Sequence, residues 1–106
     1  MDIKFQGMLQ VQIYIDQDKV KGLEPLHKFI MQLLLNHGIA GATSFLGYSG
    51  FGKHHRLKQP NEQFSFDETP MIITFIDDSK KVKEALTELR KQYNGGFIIT
   101  HEVQQW

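Results

Sequence analysis

The residues whose types and spacing are suited to chemistry lie in one run, Gly47-Tyr48-Ser49-Gly50-Phe51-Gly52-Lys53-His54-His55-Arg56, with Lys58 close behind. Gly47, Gly50 and Gly52 give a backbone that can take positive φ and let another group approach closely. The cations that follow stand beside backbone N–H groups of the kind that form anion-binding concavities. A phosphate or another small anion is the expected guest. The same run literally matches G-x-x-x-x-G-K, and Asp77-Asp78 closes an apolar strand as a magnesium-holding acid would. A nucleotide-hydrolysing loop is nevertheless not expected. His54 stands where the magnesium-binding Ser or Thr belongs, and the chain runs on to Pro60 instead of opening a helix toward the phosphates. A dinucleotide fingerprint fails because its glycines also need a following helix. Gly50-Phe51-Gly52 has the centre of an RNA-recognition sequence, but Lys53, His54 and His55 occupy the places of its aromatic and apolar residues, so nucleic acid is not expected. His54 and His55 are adjacent, point apart in extended chain and fit no metal-ligand spacing. Thr43, Ser44 and Ser49 lie near the run, but no carboxylate is placed to orient a histidine behind them. The residues therefore offer no specific case for covalent catalysis, and binding of an anion is the expectation.

Composition narrows the class. One domain over residues 1–106 fits the length, and 41% hydrophobic with 23% charged residues is ordinary for a globular chain. Twelve basic residues balance 12 acidic ones, so only a local patch can attract an anion. The absence of cysteine is compatible with a reducing cytoplasm. Residues 1–7 lack a signal-peptide pattern, and no apolar run approaches the roughly 18 residues of a spanning helix. A soluble, cytoplasmic protein without membrane insertion is expected.

The elements that must hold the run follow from periodicity. Met8 to Ile15 alternates, with Leu9, Val11, Ile13 and Ile15 on one face, as in a half-buried strand. Asp16 to Gly22 reads as a polar connection. Pro25 suits the first turn of a helix whose stripe is Leu26, Phe29, Ile30, Leu33, Leu34 and His37, ended by Gly38 at C′ with His37 in the last turn. About Ala42 to Tyr48 forms a second strand. Gly41, Ala42, Thr43 and Ser44 leave its start open to close approach. The connection from Ser49 to Thr69 exceeds the about 12 to 15 residues above which loops are usually functional or disordered, and it is expected to be mobile until a ligand orders it. Met71 to Ile76 is a nearly continuous apolar strand and should be buried on both faces. One helical layer covers one face, so a second copy of the chain is expected on the other. Asp78 or Ser79 caps a second helix with Val82, Ala85, Leu86, Leu89 and Tyr93 inward and Arg90 and Lys91 in the last turn. Asn94-Gly95-Gly96 ends it, and Phe97 to Val103 is the last strand. The order is that of a ferredoxin-like βαββαβ fold of the α+β class: one four-stranded antiparallel sheet with two helices on one face.

Beyond these local readings, Pro25-Leu26, Gly38-Ile-Ala-Gly41-Ala42-Thr43, Gly47-Tyr-Ser-Gly50-Phe51-Gly52 and a Pro70-led strand ending in Asp77 together resemble a family of small uncharacterised bacterial proteins of the PII-like superfamily, domain of unknown function 190. The resemblance runs from about Leu9 to Val103. It implies a homotrimer with sheets facing inward and a ligand site between neighbours, under the loop joining the second and third strands. In signalling members of that superfamily the cleft holds adenine nucleotides or related effectors and the long loop docks onto a transporter or enzyme, which is what the resemblance implies here. On this sequence the ligand-binding residues would be Gly41, Ala42, Thr43, Gly47, Gly50, Phe51, Gly52, Lys53 and Arg56, with no catalytic residue, resident cofactor or metal. The chain departs from nitrogen-regulatory PII proteins in having only Asn94-Gly95-Gly96 where they carry a second glycine-rich phosphate-binding loop. The other reading is a trimeric protein that binds divalent metal through His54, His55 and acidic loop residues, or a small enzyme of that fold, like the divalent-cation tolerance proteins.

Overall fold

A computed structural model describes residues 7–49 and 70–106. The elements in chain order are β1 (Met8–Asp16), β2 (Val20–Lys21), β3 (Glu24–Pro25), α1 (Leu26–Asn36), β4 (Thr43–Leu46), β5 (Pro70–Asp78), α2 (Ser79–Gln92) and β6 (Phe97–Glu102). The four long strands form an antiparallel sheet in the order β4-β5-β1-β6. This is the expected ferredoxin-like arrangement, with β1 and β5 at the centre. The short β2–β3 ribbon was not foreseen. Its first strand lies in the stretch read as a polar connection and its second runs into Pro25, which was read as helical; the ribbon turns at Gly22 with φ +64° and carries Lys21 over the Phe29 ring at 5.1 Å.

Alternation decides which side of the sheet is filled. Val11 and Ile13 of β1 lie beside Phe75 and Ile73 of β5 and are buried against Leu26, Ile30 and Leu34 of α1 and Val82, Ala85 and Leu89 of α2. The opposite side carries three rows fixed by register. Phe97, Tyr14, Ile72 and Phe45 cross all four strands; Ile99, Gln12, Thr74 and Thr43 form the next row; His101, Gln10 and Ile76 form the third. No element of the described chain covers this side, and Phe97 and Phe45 are 62% and 57% exposed. The apolar character of β5 on both faces is thus satisfied on one face only within the subunit.

Helix ends explain how the chain re-enters the sheet. Pro25 is the N-cap of α1, not part of its first turn, with φ −56° and ψ 136°. At the other end His37 is the C-cap, beyond the last helical turn. Gly38 follows with φ +76°; its N–H reaches the Leu35 carbonyl and the Ile39 N–H reaches the Leu34 carbonyl, both at 3.1 Å, a Schellman closure. Ile39 is thereby driven into the core beside Leu34. After α2, Arg90 donates from Nη1 to the Gly95 carbonyl at 2.6 Å, and Gly96 turns the chain with φ +72°.

Two glycines separate backbone need from open space. A Cβ on Gly96 would lie 3.1 Å from both Ile15 Cγ2 and the Tyr14 carbonyl at a positive φ, whereas a Cβ on Gly41 would meet nothing within 4 Å. Gly96→Ala should therefore destabilise the subunit by about 1 to 3 kcal/mol, while Gly41→Ala should change it by no more than about 0.5 kcal/mol. Urea denaturation of both variants checks this contrast, and equal losses would contradict it.

Candidate functional site

Among the described residues, the expected site residues fall on a single strip from the end of α1 to the end of β4. Gly41 and Ala42 occupy the connection, Thr43 opens β4, and Gly47 follows it directly. Gly50, Phe51, Gly52, Lys53 and Arg56, and with them His54, His55 and the loop over 49–69, lie outside the described residues apart from Ser49.

Both ends of the strip are pinned. At its start the Asp77 carboxylate, 9% exposed, accepts the Ala40 N–H on Oδ2 at 2.8 Å and the Asp78 N–H on Oδ1 at 2.7 Å. Lys81, one helical turn on, lies 3.4 Å from Oδ1 and donates to the Gly38 carbonyl at 2.8 Å. One carboxylate and one ammonium thus tie the α1 exit to the β5–α2 junction. At its far end the Gly47 N–H donates to the Pro70 carbonyl at 2.6 Å, and a Cβ on Gly47 would come within 2.5 Å of Pro70 Cγ. Glycine is required there by the approach of proline. Gly41 and Thr43 between the pins remain exposed, and Thr43 stands at the end of the middle row of the bare sheet face.

The Asp77 carboxyl titrates below its ordinary value of 3.8. Burial alone would raise it, but the N–H groups of Ala40 and Asp78 and the Lys81 charge together outweigh that desolvation. Asp77 had been read only as the acidic end of a strand, and its anchoring role was missed. The available signal was an acid closing an otherwise apolar strand with a lysine four residues later. Asp78 caps α2 by position, but its side chain makes no capping hydrogen bond. No group of three or more His, Asp or Glu suited to a metal occurs among the described residues.

Because the folded value lies below the unfolded one, the Asp77 contribution is complete above about pH 4 and is lost as pH falls through the folded value. Asp77→Asn should cost about 1 to 3 kcal/mol at pH 7, with a smaller difference from wild type at pH 3. Denaturation curves at the two pH values read this directly; a gap that stays constant would remove the charge from the explanation.

Comparison with known proteins places this geometry. A UPF0166 protein of Methanocaldococcus jannaschii is 32% identical over 93 residues, covering 85% of this chain and 84% of that protein. Among solved structures, CPII of Thiomonas intermedia K12, a nitrogen regulatory PII-like protein bound to ADP, AMP and bicarbonate, superposes with a TM-score of 0.65 at 18% identity, over 93% of this chain and 92% of that one. The divalent ion tolerance protein CutA1 of Ehrlichia chaffeensis superposes at 0.61 with 15% identity, over 94% and 84%. These structural likenesses establish the shared fold. The described helices are too short or too polar to cross a membrane. The model of the family described as Uncharacterized ACR matches residues 8–105, and the chain belongs to that family, DUF190.

Proposed function

We propose that this single-domain chain is a PII-like regulatory protein that binds a small anionic, nucleotide-like effector between subunits of a homotrimer. The observation that carries the reading is the position of the pinned Gly41–Gly47 strip. It leads directly from the margin of a bare apolar sheet face into the glycine-rich basic run. A neighbouring copy on that face would cover Phe97 and Phe45, which are 62% and 57% exposed, and complete the cover of Tyr14 and Ile72; removing the exposed half of one such phenylalanine from water contributes about 1 to 2 kcal/mol. It would also bring its own surface beside Thr43. Gly41, Ala42 and Thr43 would then line the cleft, with Gly47 starting the loop above it. The N–H groups of Gly50, Phe51 and Gly52, with Lys53 and Arg56, would receive the anion.

Likeness to CPII, whose structure holds ADP, AMP and bicarbonate, supports this effector class. Binding would order the loop over 49–69 and alter the surface offered to a transporter or enzyme, a switch by ordering instead of a reaction. No resident cofactor is required by this scheme, and its setting would be the cytoplasm.

Two measurements test it. ADP, AMP, ATP and bicarbonate are screened by thermal shift; at 100 times its Kd an effector adds about 2.7 kcal/mol. Lys53→Ala and Arg56→Ala should each raise that Kd about tenfold, which at the same effector concentration cuts the added stability to about 1.4 kcal/mol. Failure of every nucleotide and anion, with uptake of divalent metal that depends on His54 and His55, would transfer the assignment to the metal-binding reading. Separately, Phe97→Glu should turn the trimer into monomers in sedimentation, whereas Leu23→Glu, on the exposed β2–β3 turn, should leave assembly intact. A wild-type chain that sediments as a stable monomer would overturn the inter-subunit site.

A further inference from the structure

The outer strands of the sheet, β4 and β6, run in opposite directions. A ring of three copies with bare faces inward is heterologous, so one edge of each sheet meets the other edge of the next. β4 of one copy then lies antiparallel beside β6 of its neighbour. A rotation about an axis along the strands leaves every residue at its own level. Thr43 and Ile99 share a row across the sheet, so the stretch from Gly41 to Ser44 arrives beside Ile98 to His101 of the next copy.

The helix-bearing side of that seam is open from both directions. Ser44 stands in register with the core residue Ile73, and Leu46 with the core residue Met71, yet both Ser44 and Leu46 are exposed, so neither helix of their own subunit covers them. On the β6 side a groove of about 560 Å³ runs along α2, with Leu9, Val82 and Leu86 as apolar lining and Thr100 on its strand wall. That volume falls in the range of small-molecule sites. At about 100° per residue, Lys83, Thr87 and Arg90 lie with Leu86 on the flank of α2 that lines this groove. Lys80, Glu84 and Lys91 lie at the outward pole, and Lys81 and Glu88 on the far flank. Glu102, level with Leu9, places a carboxylate at one end of the strand wall. Neither Lys83 nor Arg90 forms an ion pair with a carboxylate among the described residues. Arg90 is held in place by its Nη1, which donates to the Gly95 carbonyl at 2.6 Å and the Tyr93 carbonyl at 3.3 Å; its guanidinium keeps further N–H donors.

Lengths agree as well. α2 leads from the Asp78 end of β5 back to Phe97, at the Tyr14 end of β1, and therefore climbs in the direction of β4. The climb from Lys83 to Arg90 along the helix and that from Gly41 to Ser44 along the strip each cover about 10 Å. We infer that Lys83 and Arg90 of the next copy complete the effector site, facing Gly41 and Ser44 across the seam. They would hold the phosphate groups of a nucleoside phosphate whose base lies on Leu9 and Leu86. This rests on the inter-subunit reading above and makes each site depend on charge from a second chain.

The test uses the full chain, with ADP binding followed by isothermal titration and assembly by sedimentation. Lys83→Ala and Arg90→Lys should each raise the Kd for ADP about five- to tenfold, while Lys80→Ala, at the outward pole, leaves it unchanged. Mixed rings report whether the residues act across the seam. Lys83→Glu damages the groove half and Gly41→Glu the strip half, and each alone should raise the Kd roughly twentyfold or more. Co-expressed with separate tags and assembled at random, the two variants should regain tight ADP binding at about a quarter of the wild-type sites, because each mixed ring has one seam with both halves intact. Wild-type affinity in trimeric Lys83→Ala, or no recovery in rings shown by their tags to be mixed, would overturn this inference alone. A wild-type trimer that takes up no nucleotide would overturn it together with the reading on which it rests.

Discussion

Two helices can cover one face of a four-stranded sheet, and this chain has no further element among its described residues with which to cover the other. That constraint orders the rest of the structure. The inner face concentrates the aliphatic residues of β1 and β5 under α1 and α2. The outer face retains an aromatic row at one end and more polar rows toward the other. The contact between Tyr14 and Phe97, with ring centroids 5.9 Å apart, stiffens that aromatic row without removing it from water. Burial is favourable in proportion to the apolar area covered, so the bare face is a standing preference for association.

The two ends of the strip bordering that face are held by hydrogen bonds, with Ala42 packed against the core between them. Gly38 reverses α1, Ile39 enters the core, and Ala40 is caught by a carboxylate from another part of the chain. Asp77 is affordable in this place because its oxygens have N–H donors and an ammonium nearby; a buried carboxylate without them would be driven toward its neutral form. Pinning at Ala40 and at Gly47 leaves the intervening backbone both exposed and fixed. Pre-arrangement of this kind lowers the ordering cost that binding must otherwise overcome.

Most of the fold was legible because its elements have clean periods. Leu26, Ile30, Leu33 and Leu34 mark α1, Val82, Ala85 and Leu89 mark α2, and the alternation of β1 orients the sheet. The β2–β3 ribbon escaped because two-residue strands carry no period, and Pro25 was misplaced by one step because its fixed φ suits a cap as well as a first turn. Strand limits differ by one or two residues, as with β5 extending to Asp78, since charge at a strand end conceals continued pairing. The candidate strip was visible through its small residues. Its anchor was not, because Ala40 and Asp77 are 37 residues apart and only the folded chain brings them together.

The position of β1 has a consequence for the way the subunit forms. It is the earliest long strand in the sequence, yet it lies between β5 and β6, with pairings such as Ile13 to Ile73 and Ile13 to Ile98. During synthesis its ladder partners emerge only after most of the polypeptide exists. Closing those distant pairings carries a chain-entropy cost before it is rewarded, which slows such a topology relative to helical bundles of the same size. In the interval an apolar strand waits without a sheet, and α1, formed from local contacts soon after it, is the first surface on which it can shelter.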